Sequence, residues 1–346
     1  MIDIKISARG GALAPNLSQF LGSADNSFAG CRLHVNDPSV TQADFWFVSE
    51  DVNDNDRVCE VPASRVYFVT SEVSYPPGYY AEDDNRSAFL DQFARVFTCH
   101  DVYKPSVEFS LPFLPWMINA NHGSSITQQH ERGVEYLGAL ESLPKTRMLS
   151  VFCSTQQLTP EHRMRLRFVE QLKSHFGDAL DWYGNGVNPI VEKWDGLAPY
   201  SYTVVLENRS DSNVITEKLF DAFLALAYPI YWGAPNAGEY FDPGSFSAID
   251  IRDLRGSIAR IDELINSDTS VNALPLLRAS RDKVLNEFNV FHRYTDIACE
   301  DLQSRGELAR LPVQIWPIDP YQATPPWSLG RARRILTRLQ ARGNKQ

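Results

Sequence analysis

Two cations carry the first chemical signal in this 346-residue chain. If Thr216 caps the helix that the apolar run 219–227 announces, Glu217 and Lys218 fill its first turn, where an acid suits the helix dipole and a lysine opposes it. Lys218 is then either a solvated residue beside a dipole-matched Glu217, or half of an anion site in which helix N–H groups and the ammonium hold phosphate oxygens together. The second cation is Arg165. In residues 159–176 a capping threonine and a first-turn proline precede an apolar stripe of Met164, Phe168, Val169, Leu172 and Phe176. Arg165 falls inside that stripe, whereas Arg163 and Arg167 point away. A core-facing guanidinium needs an anionic partner, because an unpaired buried charge costs several kcal/mol. An Asp or Glu of the chain would serve, and so would a ligand phosphate, which suits the planar fork.

The elements that must position these groups are legible around them. Residues 204–206 are a β-branched and apolar run, 219–227 are almost wholly apolar, and 229–232 resume strand character after Pro229 stops the helix. That is a βαβ unit, whose ligands belong at the strand C-termini. Upstream, residues 2–6, 43–48, 65–69 and 94–99 read as strands alternating with helices or loops. The proline-punctuated segment 111–119 leads out of this first α/β unit. The expected division is 1–120 as an N-terminal domain, 121–146 as a polar connection, 147–325 as a second Rossmann-like domain closed by helical residues 282–302, and 326–346 as a tail.

At this point the order of motifs resembles a known family. Ser150-Val-Phe-Cys-Ser154, the stretch from Thr159 to Arg165, Asp181-Trp-Tyr-Gly-Asn-Gly186, the stretch from Tyr202 to Asn208, Ile215-Thr-Glu-Lys218 and Pro229-Ile-Tyr-Trp-Gly-Ala-Pro235 are similar to the donor-binding half of the family 10 α-1,3-fucosyltransferases, bacterial branch. The resemblance implies a GT-B architecture, two Rossmann-like domains facing one cleft, with GDP-fucose on the C-terminal one. It places Arg165 and Lys218 against the donor diphosphate and Asn208, Thr216 and Glu217 among the donor contacts. In 65–75 the strand 66–69 exits through Thr70-Ser-Glu72, similar to the family segment that presents a base glutamate. Glu72 is thus the candidate general base, its plain alternative being an exposed acid at a strand end. Val214 departs from the pattern, for bacterial members often carry tyrosine there. The chemistry implied is inverting transfer of L-fucose to a glycan hydroxyl, with no cofactor and no metal, since the two cations would stabilise the departing phosphate. Another GDP-sugar as donor, or a catalytically silent nucleotide-sugar- or glycan-binding protein, are the alternatives.

Other patterns exclude more than they assign. Asp51-Val-Asn-Asp-Asn-Asp56 is rich in oxygen ligands, but a calcium loop needs glycine sixth and glutamate twelfth, where Asp56 and Pro62 stand. Glu82-Asp-Asp84 reads as a solvated acidic loop, and the seven histidines show no paired metal spacing. His100, at a strand end, either faces an acceptor or makes an ordinary hydrogen bond. Net charge is −10, which speaks against nucleic acid. The cysteines Cys31, Cys59, Cys99, Cys153 and Cys299 are odd in number and scattered, as free thiols in a reducing, cytoplasmic setting would be. Acceptor contacts are expected on loops such as 74–85. Residues 328–346 carry Arg331, Arg333, Arg334, Arg338, Arg342 and Lys345 without an acid, while Leu329, Ala332, Ile335, Leu336 and Leu339 recur at helical spacing. This basic amphipathic helix either docks on the protein or binds an anionic membrane surface. The resemblance agrees with the second reading, since it implies lipid-linked acceptors.

Overall fold

The computed structural model describes residues 1–8, 25–53, 55–75, 79–80, 84–118 and 132–318. Its first eight strands are β1 (Ile2–Ala8), β2 (Ser27–Phe28), β3 (Cys31–Val35), β4 (Phe45–Ser49), β5 (Val58–Val61), β6 (Val66–Val69), β7 (Arg95–Thr98) and β8 (Val107–Phe109). Seven of them form one sheet in the order β2-β3-β1-β4-β6-β7-β8, parallel except for the β2/β3 edge. Its central strands are apolar on both faces, as a covered parallel sheet requires. Phe45, Phe47, Tyr67 and Val69 enter one core, while Trp46, Val48, Val66 and Phe68 enter the other.

A second, wholly parallel sheet holds β9 (Arg147–Phe152), β10 (Leu180–Tyr183), β11 (Tyr200–Leu206), β12 (Tyr228–Trp232) and β13 (Ser247–Ala248) in the order β10-β9-β11-β12-β13. The two sheets share one winding rule: the first strand lies between the second and third major strands, and the later strands follow outward. Crossovers therefore diverge between β1 and β4 in one sheet and between β9 and β11 in the other. Crevices at such switch points are where α/β sheets bind ligands. The expected α/β class with two Rossmann-like sheets is what the chain adopts.

The helices beside the second crevice start where their caps dictate. The Pro160–Phe176 helix follows β9, with Thr159 accepting from the His162 N–H at 3.1 Å. The Glu217–Leu224 helix follows β11, with Thr216 accepting from the Lys218 N–H at 3.4 Å. This second helix was expected to continue to Ala227 and stop at Pro229. It ends earlier because Leu226 turns left-handed at φ 48° and the Ala227 N–H returns to the Ala222 carbonyl, which closes the last turn. Residues 282–302 are not one helix. Leu274–Asn286 and Val290–Arg305 are separate, since Asn289 caps the second by accepting from the Phe291 N–H.

Val290–Arg305 leaves the second sheet and packs on the first, although it was assigned to the second domain. Asp301 draws it there, accepting from Arg65 Nε at 2.7 Å and from the Tyr67 hydroxyl at 2.6 Å, while Tyr294 packs against Phe47 and Phe113. β14 (Leu311–Gln314) then pairs antiparallel with β5. Cys31 and Cys299, far apart in sequence, stand with sulfurs 3.7 Å apart, and burial pushes the Cys31 thiol up to about 12. No helix among the described residues is long and apolar enough to cross a membrane. The basic segment 328–346, residues 121–131 of the polar connection, Asp54, Glu82, Asp83 and part of the loop 74–85 lie outside the described residues.

Candidate functional site

The turns leaving β6 and β11 meet. Asn208, two residues beyond β11, donates through Nδ2 to the Ser74 hydroxyl at 3.1 Å, and the Arg209 guanidinium donates to the Tyr75 carbonyl. Val73, Cys99 and Val214 close a small apolar contact between the same segments. Val214, where the resemblance anticipates tyrosine, is 2% exposed and points no hydroxyl anywhere.

Arg165 reaches this junction from the Pro160–Phe176 helix, and the stripe argument holds: it is buried at 7% exposure, while Arg167 is exposed. Its Nη1 donates to the carbonyls of Leu206 at 3.4 Å and Glu207 at 3.2 Å, and to Asn208 Oδ1. Among the described residues these partners are all neutral, and its Nε–H has no hydrogen-bond partner. A buried guanidinium balanced only by dipoles retains most of its attraction for an anion.

Lys218 is held differently. Its ammonium lies 3.4 Å from Glu207 Oε2, 3.1 Å from Glu217 Oε1 and 3.0 Å from the Thr216 hydroxyl. Glu207 is fully buried and accepts from the Thr216 N–H at 2.8 Å and hydroxyl at 2.6 Å. Burial works against ionising Glu217, but Lys218 and Lys193 override it and hold the carboxyl at about 2. Burial likewise disfavours the Lys218 ammonium, and Glu217 with Glu207 nonetheless raises its pKa. Lys218 is therefore not simply solvated: two carboxylates already share its charge, and any further anion would share it with them. Glu207 had appeared only within the stretch from Tyr202 to Asn208. Its signal was an acid directly ending an apolar strand, where burial forces it to find a cation. Deeper in, Lys193 pairs with the buried Asp221 at 2.6 Å, yet burial still pushes that carboxyl up to about 6.

Glu72 lies at the other side of the junction. Its Oε1 accepts from the Ser74 N–H at 2.6 Å, its own N–H donates to Glu50 Oε1 at 2.8 Å, and its carbonyl accepts from His100 Nε2 at 2.8 Å. Arg165, Asn208, Ser74 and Glu72 thus form one unbroken hydrogen-bonded line across the two sheets. His100, weighed earlier as facing an acceptor, holds backbone. Glu50 was missed altogether. Burial and the neighbouring Glu72 carboxylate push it up to about 7, against the N–H groups of Glu72 and Ser71 and the Tyr80 hydroxyl.

The oxygen-rich 51–56 turn has structural partners. Asp56 pairs with Lys5 and accepts from the Ser7 hydroxyl, both at 2.6 Å, and Asp51 accepts the Val52 and Ile318 N–H groups. Two surface hollows, of about 640 and 450 Å³, lie elsewhere, one along Tyr240 and Lys283 and one along Arg163 and Arg252. Convergent polar groups at the strand ends, not cavity volume, single out the junction.

No family model matches the chain. An 84-residue stretch is 31% identical to the alpha-(1,3)-fucosyltransferase FucT of Helicobacter pylori; it covers 24% of this chain and only 17% of that protein. Among solved structures, an alpha1,3-fucosyltransferase with GDP-fucose aligns over 79% of this chain and 81% of its own at 18% identity and a TM-score of 0.46. One with GDP aligns over 84% and 92% at 16% identity and a TM-score of 0.47. The pneumococcal O-GlcNAc transferase GtfA follows at 11% identity, 74% and 57% coverage and a TM-score of 0.39. The resemblance read from motif order is met by the 84-residue stretch, whose curated relative is an alpha-(1,3)-fucosyltransferase.

Proposed function

We propose that the chain is an inverting glycosyltransferase of GT-B type that moves L-fucose from GDP-β-L-fucose to a hydroxyl of a glycan, with α-1,3 as the linkage the similar proteins suggest. The observation that carries this reading is the line Arg165–Asn208–Ser74–Glu72, which ties an uncompensated buried cation to a carboxylate at the junction of two parallel sheets. The cation suits a diphosphate and the carboxylate suits an acceptor hydroxyl.

In the reaction the bond from the anomeric carbon to the β-phosphate oxygen breaks and GDP leaves with the electron pair. The acceptor oxygen bonds to the anomeric carbon from the opposite face, and Glu72 takes its proton. Arg165 faces the charge that grows on the departing diphosphate, where a fixed, partly desolvated cation lowers the barrier most. Lys218 and the N–H groups that open its helix complete the diphosphate contact, with Thr216, Glu217 and Asn208 holding them in place. The two cations take the part a metal plays in other transferases.

Calorimetric titration with GDP, GDP-fucose and GDP-mannose, with UDP as control and a chelator present, tests the donor assignment. Binding of GDP species but not UDP is expected, with preference for the fucose form; absence of GDP binding overturns the reading. Glu72→Gln should lower turnover by about 10²- to 10⁴-fold while GDP affinity stays near that of the unaltered protein. A second reading, another GDP-sugar as donor, is favoured by one observation, the buried valine at 214 in place of a hydroxyl. Tighter binding of GDP-mannose than of GDP-fucose in the same titration selects it.

A further inference from the structure

The backbone on both sides of Glu72 is held by side chains, and the holders come from the turns that leave the two strands flanking β6. In the sheet β6 lies between β4 and β7. From the β4 side, Glu50 Oε1 accepts the N–H of Ser71 at 2.6 Å and the N–H of Glu72 at 2.8 Å. From the β7 side, His100 Nε2–H donates to the Glu72 carbonyl at 2.8 Å. Each holder is itself fixed: Glu50 Oε2 accepts the Tyr80 hydroxyl at 3.0 Å, and the His100 N–H donates to the Thr98 hydroxyl oxygen at 3.0 Å.

Glu50 also occupies an uncommon backbone conformation. Its φ is 67°, in the left-handed region that is unfavourable for a residue with a Cβ, and its N–H still donates to the Val69 carbonyl at 3.2 Å. An acid that only needed water could relax out of that conformation. Glu50 instead sits at the first sheet's switch point and turns its carboxyl under the neighbouring turn. Such strain persists where surrounding contacts over-determine it, and it concentrates at functional sites.

We propose that Glu50 is a positioning residue, with His100 as its counterpart: together they clamp the backbone on both sides of Glu72 so that its carboxylate faces an acceptor hydroxyl. The inference rests on the proposed role of Glu72 as base. A general base works only within about 3 Å of the proton it removes, and displacement of the turn by about 1 Å costs on the order of 10²-fold in rate. Among the described residues Glu50 and His100 share no hydrogen bond with Lys218, Glu207, Thr216 or Glu217, so the clamp is expected to govern turnover and acceptor use rather than hold on the nucleotide.

The test compares Glu50→Ala, Glu50→Gln, His100→Phe and Glu72→Gln in full-length protein, reading kcat, the acceptor KM and GDP affinity. Glu50→Ala is expected to lower kcat by on the order of 10²-fold with GDP affinity retained, and Glu50→Gln, which keeps an oxygen for both N–H groups, to recover most of that loss. Should the alanine variant fail to fold, His100→Phe keeps an aromatic ring and removes the donor, and the same split between kcat and GDP affinity is expected. Equal losses for Glu50→Gln and Glu50→Ala, or unimpaired kcat in Glu50→Ala or His100→Phe, overturn the clamp. If Glu72→Gln turns over normally, the base assignment itself has failed. If Glu72→Gln is inactive while Glu50→Ala is normal, only the clamp has.

Discussion

Replacing Lys218 by methionine removes one charge from a cluster that the fold has balanced. The ammonium serves Glu207, whose side chain is 0% exposed, and Glu217, whose side chain is 21% exposed. Glu217 is held at about 2 against an ordinary 4.5, with Lys218 the leading favourable cause and Lys193 the next. At about 1.36 kcal/mol per unit that depression corresponds to about 3 kcal/mol, an upper bound because a fifth of the side chain meets water. Breaking a buried pair by removing one partner generally costs about 3–5 kcal/mol. We expect Lys218→Met to lose about 3 kcal/mol at neutral pH.

The pH dependence identifies the cause. A carboxyl whose folded pKa is depressed contributes stability that is present above its unfolded value and lost as pH falls through the folded one. Without Lys218 the Glu217 carboxyl loses its main partner, so its folded pKa rises and the variant gains less from ionisation. The deficit should therefore be full at about pH 8 and shrink below about pH 4.5, as Glu217 takes up a proton in the variant before it does in the original. Urea unfolding at both pH values reads this directly. A deficit that is flat with pH, or smaller than about 1 kcal/mol, refutes the ion-pair reasoning. The same proteins separate two kinds of cation. On the proposed reading Lys218 would share its charge between a phosphate and two carboxylates, whereas the partners of Arg165 are dipoles. Arg165→Ala should accordingly weaken GDP binding more than Lys218→Met does, and the reverse order in calorimetry would reject that distinction.

Two further substitutions probe the frame. Gly233 lies against Glu207, and a Cβ there would stand 2.5 Å from Glu207 Cγ and closer still to the Tyr231 hydroxyl. Gly233→Ala is expected to cost about 1–3 kcal/mol and to weaken GDP binding by displacing the acid that orders Thr216 and Lys218; unfolding and calorimetry matching the original protein would contradict this. Asp301→Asn removes the charge that satisfies Arg65 and Arg305 and should cost about 3–5 kcal/mol. Burial opposes ionisation of Asp301, but Tyr67, Arg305 and Arg65 hold its carboxyl below the ordinary range. Its contribution is thus present above the ordinary aspartate value and lost in acid, so the two unfolding curves should converge as pH falls below about 4. Parallel curves would point to packing instead of charge.

Where a local rule acts alone, the sequence was readable. Thr159 and Thr216 cap the helices they precede, and the run after Glu217 is buried as its composition demands. Arg165 was legible because helical periodicity places a residue on a face whatever the tertiary fold. What the sequence withheld depends on segments meeting across long separations. The early stop at Leu224 comes from a left-handed Leu226 that no propensity favours. Asp301 crosses to Arg65 over more than two hundred residues, which is why residues 290–314 belong beside the first sheet despite following the second in sequence.

The candidate site divides along the same line. Glu72 and Arg165 are visible one at a time, as an acid at a strand end and a cation on an apolar face. What makes each of them chemically useful is its neighbours, and those are non-local. Arg165 is an anion-seeking charge only because its partners turn out to be carbonyls and an amide and not a carboxylate. On the proposed reading Glu72 is aimed because Glu50 and His100, just beyond the adjacent strands but 22 and 28 residues away along the chain, hold the backbone on its two sides. A parallel sheet converts such separations into contact, since each crossover returns the chain to the same edge. Reading a candidate catalytic carboxylate from sequence therefore requires asking which strand ends flank its own, because the side chains that hold it stand there and share no motif with it.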